Sequence, residues 1–265
     1  MNMRILFLGD VVGEPGRKAI LVHLKRLKEE QRVDFVILNG ENAAAGKGIT
    51  PKICIDLLRA GAAVVTTGDH VWDQQEIVAH FKTEPRLLRP INFPPGTPGA
   101  GSVVLDAEKG RVGVINALGR TFVQPASENP FLAVEAEVAR LHADGVRIIV
   151  VDFHAEATSE KIAMGWHLDG KVSLVVGTHT HVQTADERIL PLGTGFLCDA
   201  GMCGPINSVL GRRWEPVVDR FCTSMPSRFP VAAGPVALCG VIVEVAVETG
   251  LAVGIERFRF DAPEH

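Results

Sequence analysis

Residues 4–10 read Arg-Ile-Leu-Phe-Leu-Gly-Asp, a short apolar run that stops at a glycine and an aspartate. The run is too brief for the apolar segment of a secretory signal and reads as a buried strand. Next, Gly16–Glu30 spaces Ile20, Leu21, Leu24 and Leu27 at helical intervals among Lys, Arg and Glu. A second apolar run, Asp34–Leu38, stops at Asn39-Gly40. Thr50 before Pro51 is an N-cap followed by proline at the first helical position, and Gly61 ends that helix at about Ala60. A third strand, Ala62–Thr67, stops at Gly68, and Asp73–Phe81 is expected to form a further helix. Strands and helices therefore alternate as in a sheet with helices packed on it. Strands that are apolar throughout have both faces covered.

Further along, Ile91–Gly101 is rich in Pro and Gly and reads as a loop. Val103–Leu105 and Val112–Asn116 form a hairpin around Glu108-Lys109-Gly110. A helix over Phe131–His142 leads to strand Arg147–Phe153, and Lys171–Gly177 is another strand. From Gly193 onward the chain reads mostly as strand and loop, with Pro235–Val247 pairing Leu251–Phe260 across Thr249-Gly250. No linker, repeat or low-complexity segment divides the 265 residues, so a single α/β domain over 1–265 is expected.

Composition narrows the function classes. Hydrophobic residues make up 46% and charged residues 22%, which excludes disorder, a coiled coil or a collagen-like chain. A net charge of −4 leaves no general basic surface for a nucleic-acid backbone. No stretch reaches the ~18 apolar residues of a membrane span. Cys54, Cys198, Cys203, Cys222 and Cys239 are scattered and odd in number, which suits buried free thiols in a reducing cytoplasm.

The chemistry sits where the strands stop. Their ends are Gly9-Asp10, Gly40-Glu41-Asn42, Gly68-Asp69-His70, Asp152-Phe153-His154-Ala155-Glu156 and Gly177-Thr178-His179-Thr180-His181. Ligands of open α/β sheets bind beyond the carboxyl ends of the strands, so parallel strands would gather these clusters along one edge. Asp10, Glu41 and Asp69 bring −3, which two divalent ions nearly neutralise. Imidazole mixed with carboxylate suits Zn, Fe or Mn better than Ca or Mg. The remaining histidines, His23, His80, His142, His167 and His265, read as structural, and Trp72 reads as packing at the core or rim. Asp152 and Glu156 are candidates to orient ligand imidazoles from outside.

Other motifs fail. Residues 9–16, Gly-Asp-Val-Val-Gly-Glu-Pro-Gly, do not match the dinucleotide fingerprint. Gly40–Gly48 has five residues between its first two glycines, and Gly48 follows Lys47 where a P-loop needs Ser or Thr. His154-Ala155-Glu156 has no following P-C-x-x-C of a zinc deaminase. No nucleophilic serine or elbow is present, which leaves metal-activated water.

The series of strand-end clusters resembles the calcineurin-like metallophosphoesterases, and more narrowly the bacterial YmdB-type family of cyclic-nucleotide phosphodiesterases. The resemblance covers nearly the whole chain and is densest over 9–17, 153–170 and 177–186. It implies a four-layer α/β/β/α sandwich of two mixed sheets flanked by helices, with two divalent or mixed-valence ions per chain. Iron or manganese is the expected metal, with zinc the other candidate. Carried over by position, Asp10, Asn42 and His181 hold the first ion, Glu41 bridges, and Asp69, His154 and His179 hold the second. The expected reaction is attack of a metal-bound hydroxide on a 2′,3′-cyclic nucleotide, with His70, oriented by Asp73 or Glu76, giving a proton to the leaving oxygen. The family often has Asn where this chain has Asp69. A homo-oligomer without membrane attachment is expected. The competing readings are a phosphomonoesterase or RNA-end nuclease using the same site, or a regulatory protein that senses a nucleotide or RNA without turnover.

Overall fold

The computed structural model of the protein describes residues 1–123 and 128–263. The first half contains β1 (Asn2–Leu8), β2 (Asp10–Val11), α1 (Gly13–Glu30), β3 (Phe35–Asn39), α2 (Pro51–Arg59), β4 (Val64–Thr66) and α3 (Ile77–His80). There follow β5 (Ser102–Ala107), β6 (Gly110–Leu118), α4 (Pro130–Ala143), β7 (Ile148–His154), α5 (Thr158–His167) and β8 (Leu174–Thr178). The last part holds β9 (Arg188–Ile189), β10 (Gly195–Leu197), β11 (Met202–Pro205), α6 (Trp214–Thr223), β12 (Val236–Ala246) and β13 (Ala252–Ala262).

The strands make two mixed sheets. The first runs β2-β11-β12-β1-β3-β4, with β13 also paired to β12, and the second runs β5-β6-β7-β8-β10-β9. β1, β3 and β4 are parallel, as are β6, β7 and β8. Alternation along each strand builds the layers. Ile5 and Phe7 of β1 join Ile37 and Val64 of their own sheet and Val114, Val150 and Val176 of the other, so the sheets share an inner core. Leu6 and Leu8 point the opposite way, onto Ile20, Leu24 and Leu57 of α1 and α2. Ile149, Val151 and Val175 turn outward onto Val134 and Val138 of α4 and Met164 of α5. The order is helices, sheet, sheet, helices, the four-layer arrangement that the family resemblance implied.

Local rules hold in several places. Thr50 caps α2 by accepting from Ile53 N (3.3 Å), Pro51 follows it, and Gly61 beyond the end has φ +120°. The expected hairpins are β5–β6 and β12–β13.

Four local expectations need correction. The helix expected over Asp73–Phe81 shrinks to one turn at Ile77–His80. Its first residues are spent otherwise: Asp73 pairs with His70, and Gln74 Nε2 donates to Lys47 O (2.9 Å). α5 has no counterpart in the sequence pattern, because its buried face is Lys161, Met164 and Gly165 rather than an apolar stripe. α6 falls where strand and loop are expected. Its Trp214, Val217, Val218 and Phe221 carry helical spacing, but only Val217 is buried. Among the thiols, all five cysteines are free, and Cys222 is exposed rather than buried.

Candidate metal centre

All five clusters meet at one end of the sandwich, but not on one sheet. The first sheet supplies Asp10 at the start of β2, two residues beyond β1, Glu41 and Asn42 after β3, and Asp69 and His70 after β4. The second supplies His154 at the end of β7 and His179 and His181 after β8. Stacked sheets bring the two edges together. Asp152, fully buried on β7, ties them from below: it accepts from Asn39 Nδ2 (3.0 Å) and Thr66 Oγ1 of the first sheet and Thr178 Oγ1 (2.7 Å) of the second. Asn39 Oδ1 in turn accepts from Glu41 N (3.0 Å), which sets the turn that delivers Glu41.

The imidazoles share a pattern. His154 Nδ1 lies 2.8 Å from Thr178 Oγ1, whose proton goes to Asp152, so Nδ1 carries the donated hydrogen. Its Nε2 is left to face Glu41 Oε1 (3.2 Å) and Asp69 Oδ1 (3.1 Å). His179 meets Glu156 through Nε2 (3.2 Å) and turns Nδ1 toward Asp69 Oδ1 (3.3 Å) and His154 Nε2 (2.9 Å). His181 donates from Nδ1 to Leu210 O (3.1 Å) and turns Nε2 toward Asp10 Oδ1 (3.9 Å) and Asn42 Nδ2 (3.2 Å). Each ring is anchored outward by one nitrogen and presents the other inward, as metal-ligating histidines do.

Donor atoms of Glu41, Asp69, His154 and His179 all lie within 4.8 Å of one another. Asp10, Asn42 and His181 adjoin them. Asp10 Oδ1 is buried with no hydrogen-bond partner among the described residues, which is costly for a carboxylate unless a cation is near. A Cβ on Gly68 would sit 2.0 Å from Glu41 Oε2 and 2.5 Å from His154 Nε2, so only glycine leaves the centre open. The donor set, the orphaned oxygen and the open space fit divalent cations.

The electrostatics are those of crowded negative charge. Burial opposes charging His154, yet Glu41, Asp69 and Asp10 outweigh it and hold the imidazolium well above the usual histidine range. Burial raises Asp69, but hydrogen bonds from His154 and His179 prevail and pull its carboxyl far below the usual range. Asp152 is pushed up to about 6 by burial, against the pull of His154 and its three hydrogen-bond donors.

His70 stands at the margin, 29% exposed, with Nδ1 3.2 Å from Asp73 Oδ2 and Nε2 3.8 Å from Asp69 Oδ2. Of the two carboxylates expected beside it, Asp73 makes the contact. Trp72 packs edge-on against Phe81 and tilted against Phe93, a core role. His23 packs at a tilt against Phe260, His142 bonds Val146 O and Lys171 O, and His167 packs on Phe131, all away from the centre. His265 lies outside the described residues. Sequence reasoning missed Thr178 as the link between Asp152 and His154, and Leu210 O as the anchor of His181. Thr178 sits inside a quoted cluster, whereas Leu210 acts through its backbone and leaves no signal in its residue type.

A family model described as YmdB-like protein matches residues 6–258. The chain belongs to the YmdB-like family. It is 49% identical over 255 residues to the 2′,3′-cyclic-nucleotide 2′-phosphodiesterase of Bacillus subtilis (strain 168), covering 96% of each chain. A crystal structure of a hypothetical protein from Thermus thermophilus superposes with a TM-score of 0.90 at 39% identity, covering 98% of this chain and 100% of that one. A crystal structure of a novel phosphatase from Mycoplasma pneumoniae gives 0.92 at 36% identity, with 98% and 94% covered. The chain is thus a metallophosphoesterase by family and fold. No helix among its described residues is long and apolar enough to cross a membrane.

Proposed function

We propose that the chain is a dinuclear metal-dependent phosphodiesterase that opens 2′,3′-cyclic nucleotides. It works as one domain over residues 1–265, in the cytoplasm and as a homo-oligomer. The substrate follows the name of the Bacillus subtilis relative. The observation that carries the chemistry is the trio of imidazoles, each anchored outward and turned inward on three carboxylates at a buried edge. Asp10, Asn42 and His181 hold one ion, Glu41 is shared, and Asp69, His154 and His179 hold the other, with iron or manganese as the metal. Asn42 ligates through Oδ1, which requires its amide turned over, because Nδ2 now faces His181. Five free cysteines suit a reducing compartment.

Ions bound there supply Lewis acidity toward the phosphoryl oxygens and acidify a coordinated water. The residues do the rest. Gly68, having no Cβ, lets Glu41 Oε2 and His154 Nε2 pack close to the backbone at the centre. His70 Nε2, 3.8 Å from Asp69 Oδ2 at the margin of the centre, donates a proton to the departing 2′-oxygen, a poor leaving group, while Asp73 holds Nδ1 and fixes the ring. General acid help of this kind contributes about 10²–10⁴-fold.

The test is hydrolysis of 2′,3′-cyclic AMP by chelated protein, with and without added Mn²⁺ or Fe²⁺. Restored turnover to the 3′-monophosphate is expected, and RNA ends carrying the same cyclic phosphate are assayed beside it. Turnover of phosphomonoesters alone would make it a phosphomonoesterase. Tight nucleotide binding without turnover under any metal would make it a sensor.

A further inference from the structure

Beneath the centre lies a buried ion pair that the mechanism above does not use. Lys161, on α5, and Asp199, after β10, are 2% and 1% exposed, and Lys161 Nζ is 2.7 Å from Asp199 Oδ2. The approach is built in: a Cβ on Gly177 would meet Lys161 Cδ at 2.6 Å and Cys198 O at 1.8 Å.

The pair grips one short loop. Asp199 Oδ2 also accepts from Thr180 N (3.1 Å) and Thr180 Oγ1 (2.7 Å), and Oδ1 accepts from Gly201 N (2.8 Å). Lys161 Nζ donates to Thr178 O (3.1 Å). Thr180 stands between His179 and His181, whose φ values are +102° and +65°. Non-glycine residues in that region persist only where their surroundings over-determine them. Asp199 pulls the backbone of Thr180 down, and Asp10 Oδ2 accepts from His179 N (3.1 Å) on the other side. With Thr180 held below, the two flanking imidazoles face the centre.

We propose that Lys161 and Asp199 are positioning residues that hold the His179–His181 loop in its metal-receiving conformation before any ion arrives. The inference rests on the ligand assignment proposed above. Lys161 fixes the Asp199 carboxylate in place, bonding the same Oδ2 that takes the loop's own donors. Asp199 converts that fixed charge into the orientation of two rings it never touches.

The experiment measures Mn²⁺ binding to the chelated full-length protein by calorimetry, alongside apo-protein melting and turnover. Lys161→Met or Asp199→Asn alone leaves a lone buried charge, so the informative variant is the neutral double Lys161→Met/Asp199→Asn. It is expected to melt within a few degrees of the parent, to bind Mn²⁺ about 10–100-fold more weakly, and to regain most of its kcat at saturating Mn²⁺. Parental Mn²⁺ affinity in a folded double variant overturns the proposal. If the double variant does not fold, Thr180→Val takes its place. It removes one donor to Asp199 and is expected to weaken Mn²⁺ in the same direction, and unchanged affinity there overturns the proposal. His181→Ala separates the two claims. Unchanged Mn²⁺ binding in His181→Ala overturns the ligand assignment and this inference together. Loss in His181→Ala but not in the double variant overturns this inference alone.

Discussion

The two sheets end in different chemistries. The first delivers oxygen donors, with Asp10, Glu41, Asn42 and Asp69 beyond β1, β3 and β4; the second delivers nitrogen, with His154, His179 and His181 beyond β7 and β8. Neither half suffices. The oxygen side alone concentrates negative charge, with Asp10 Oδ1 buried and given no hydrogen bond among the described residues. The nitrogen side alone turns ring nitrogens toward one another, 2.9 Å apart between His154 and His179. Set face to face, they make a mixed donor set that fits divalent cations. Both depend on the shared core of Phe7, Val114, Val150 and Val176, which holds the edges in register.

The halves also differ in support. Each imidazole has its own outward anchor, whereas the carboxylates lean on the imidazoles and on backbone. Substitutions should reveal this inequality. The largest effect belongs to the residue in neither metal set: His70→Ala is expected to lower kcat by about 10²–10⁴-fold while elemental analysis finds the metals retained. Loss of metal would instead make His70 a ligand. Next, Phe7→Ala opens a cavity between the sheets and is expected to cost about 3–5 kcal/mol in denaturant unfolding; a cost under ~1 kcal/mol would mean the sheets do not rely on that core.

Anchor removal follows. Thr178→Val cuts the buried link from Asp152 to His154 and should weaken Mn²⁺ binding by about 100-fold. Glu156→Gln acts on His179 from a half-exposed position and should cost nearer to 10-fold. Titration calorimetry ranks them, and the reverse order would mean burial does not set the strength of these anchors. The smallest change is expected from Asp69→Asn, which keeps an oxygen donor and removes one charge. Mn²⁺ should bind several-fold more weakly and turnover should shift; no change in either would leave Asp69 without a distinct role.

Much of this site was legible in the chain, for a physical reason. The buried strands stay apolar until their carboxyl ends, so an Asp, Glu, Asn or His there, close behind a Gly in every cluster but that of His154, marks where backbone leaves the core and side chains begin to work. That signal located Asp10, Glu41, Asn42, Asp69, His70, His154, His179 and His181. It does not say how many sheets the strands form. The first-half rhythm suited one sheet, and only the outward alternation of Leu6 and Leu8 against Ile5 and Phe7 finds a partner for each side. Helices whose buried face is polar or small leave no stripe, and α5 escaped because Lys161 and Gly165 face inward. Lys161 and Asp199, 38 residues apart, show their link only once β8 and β10 are neighbours.

The most direct measurement is metal stoichiometry by anomalous diffraction from crystals of chelated protein soaked in Mn²⁺. Two ions per chain are the expected result, one against Asp10 and His181, the other against Asp69, His154 and His179, with Glu41 between them. A single ion held by the imidazoles alone, or none at this edge, would contradict it.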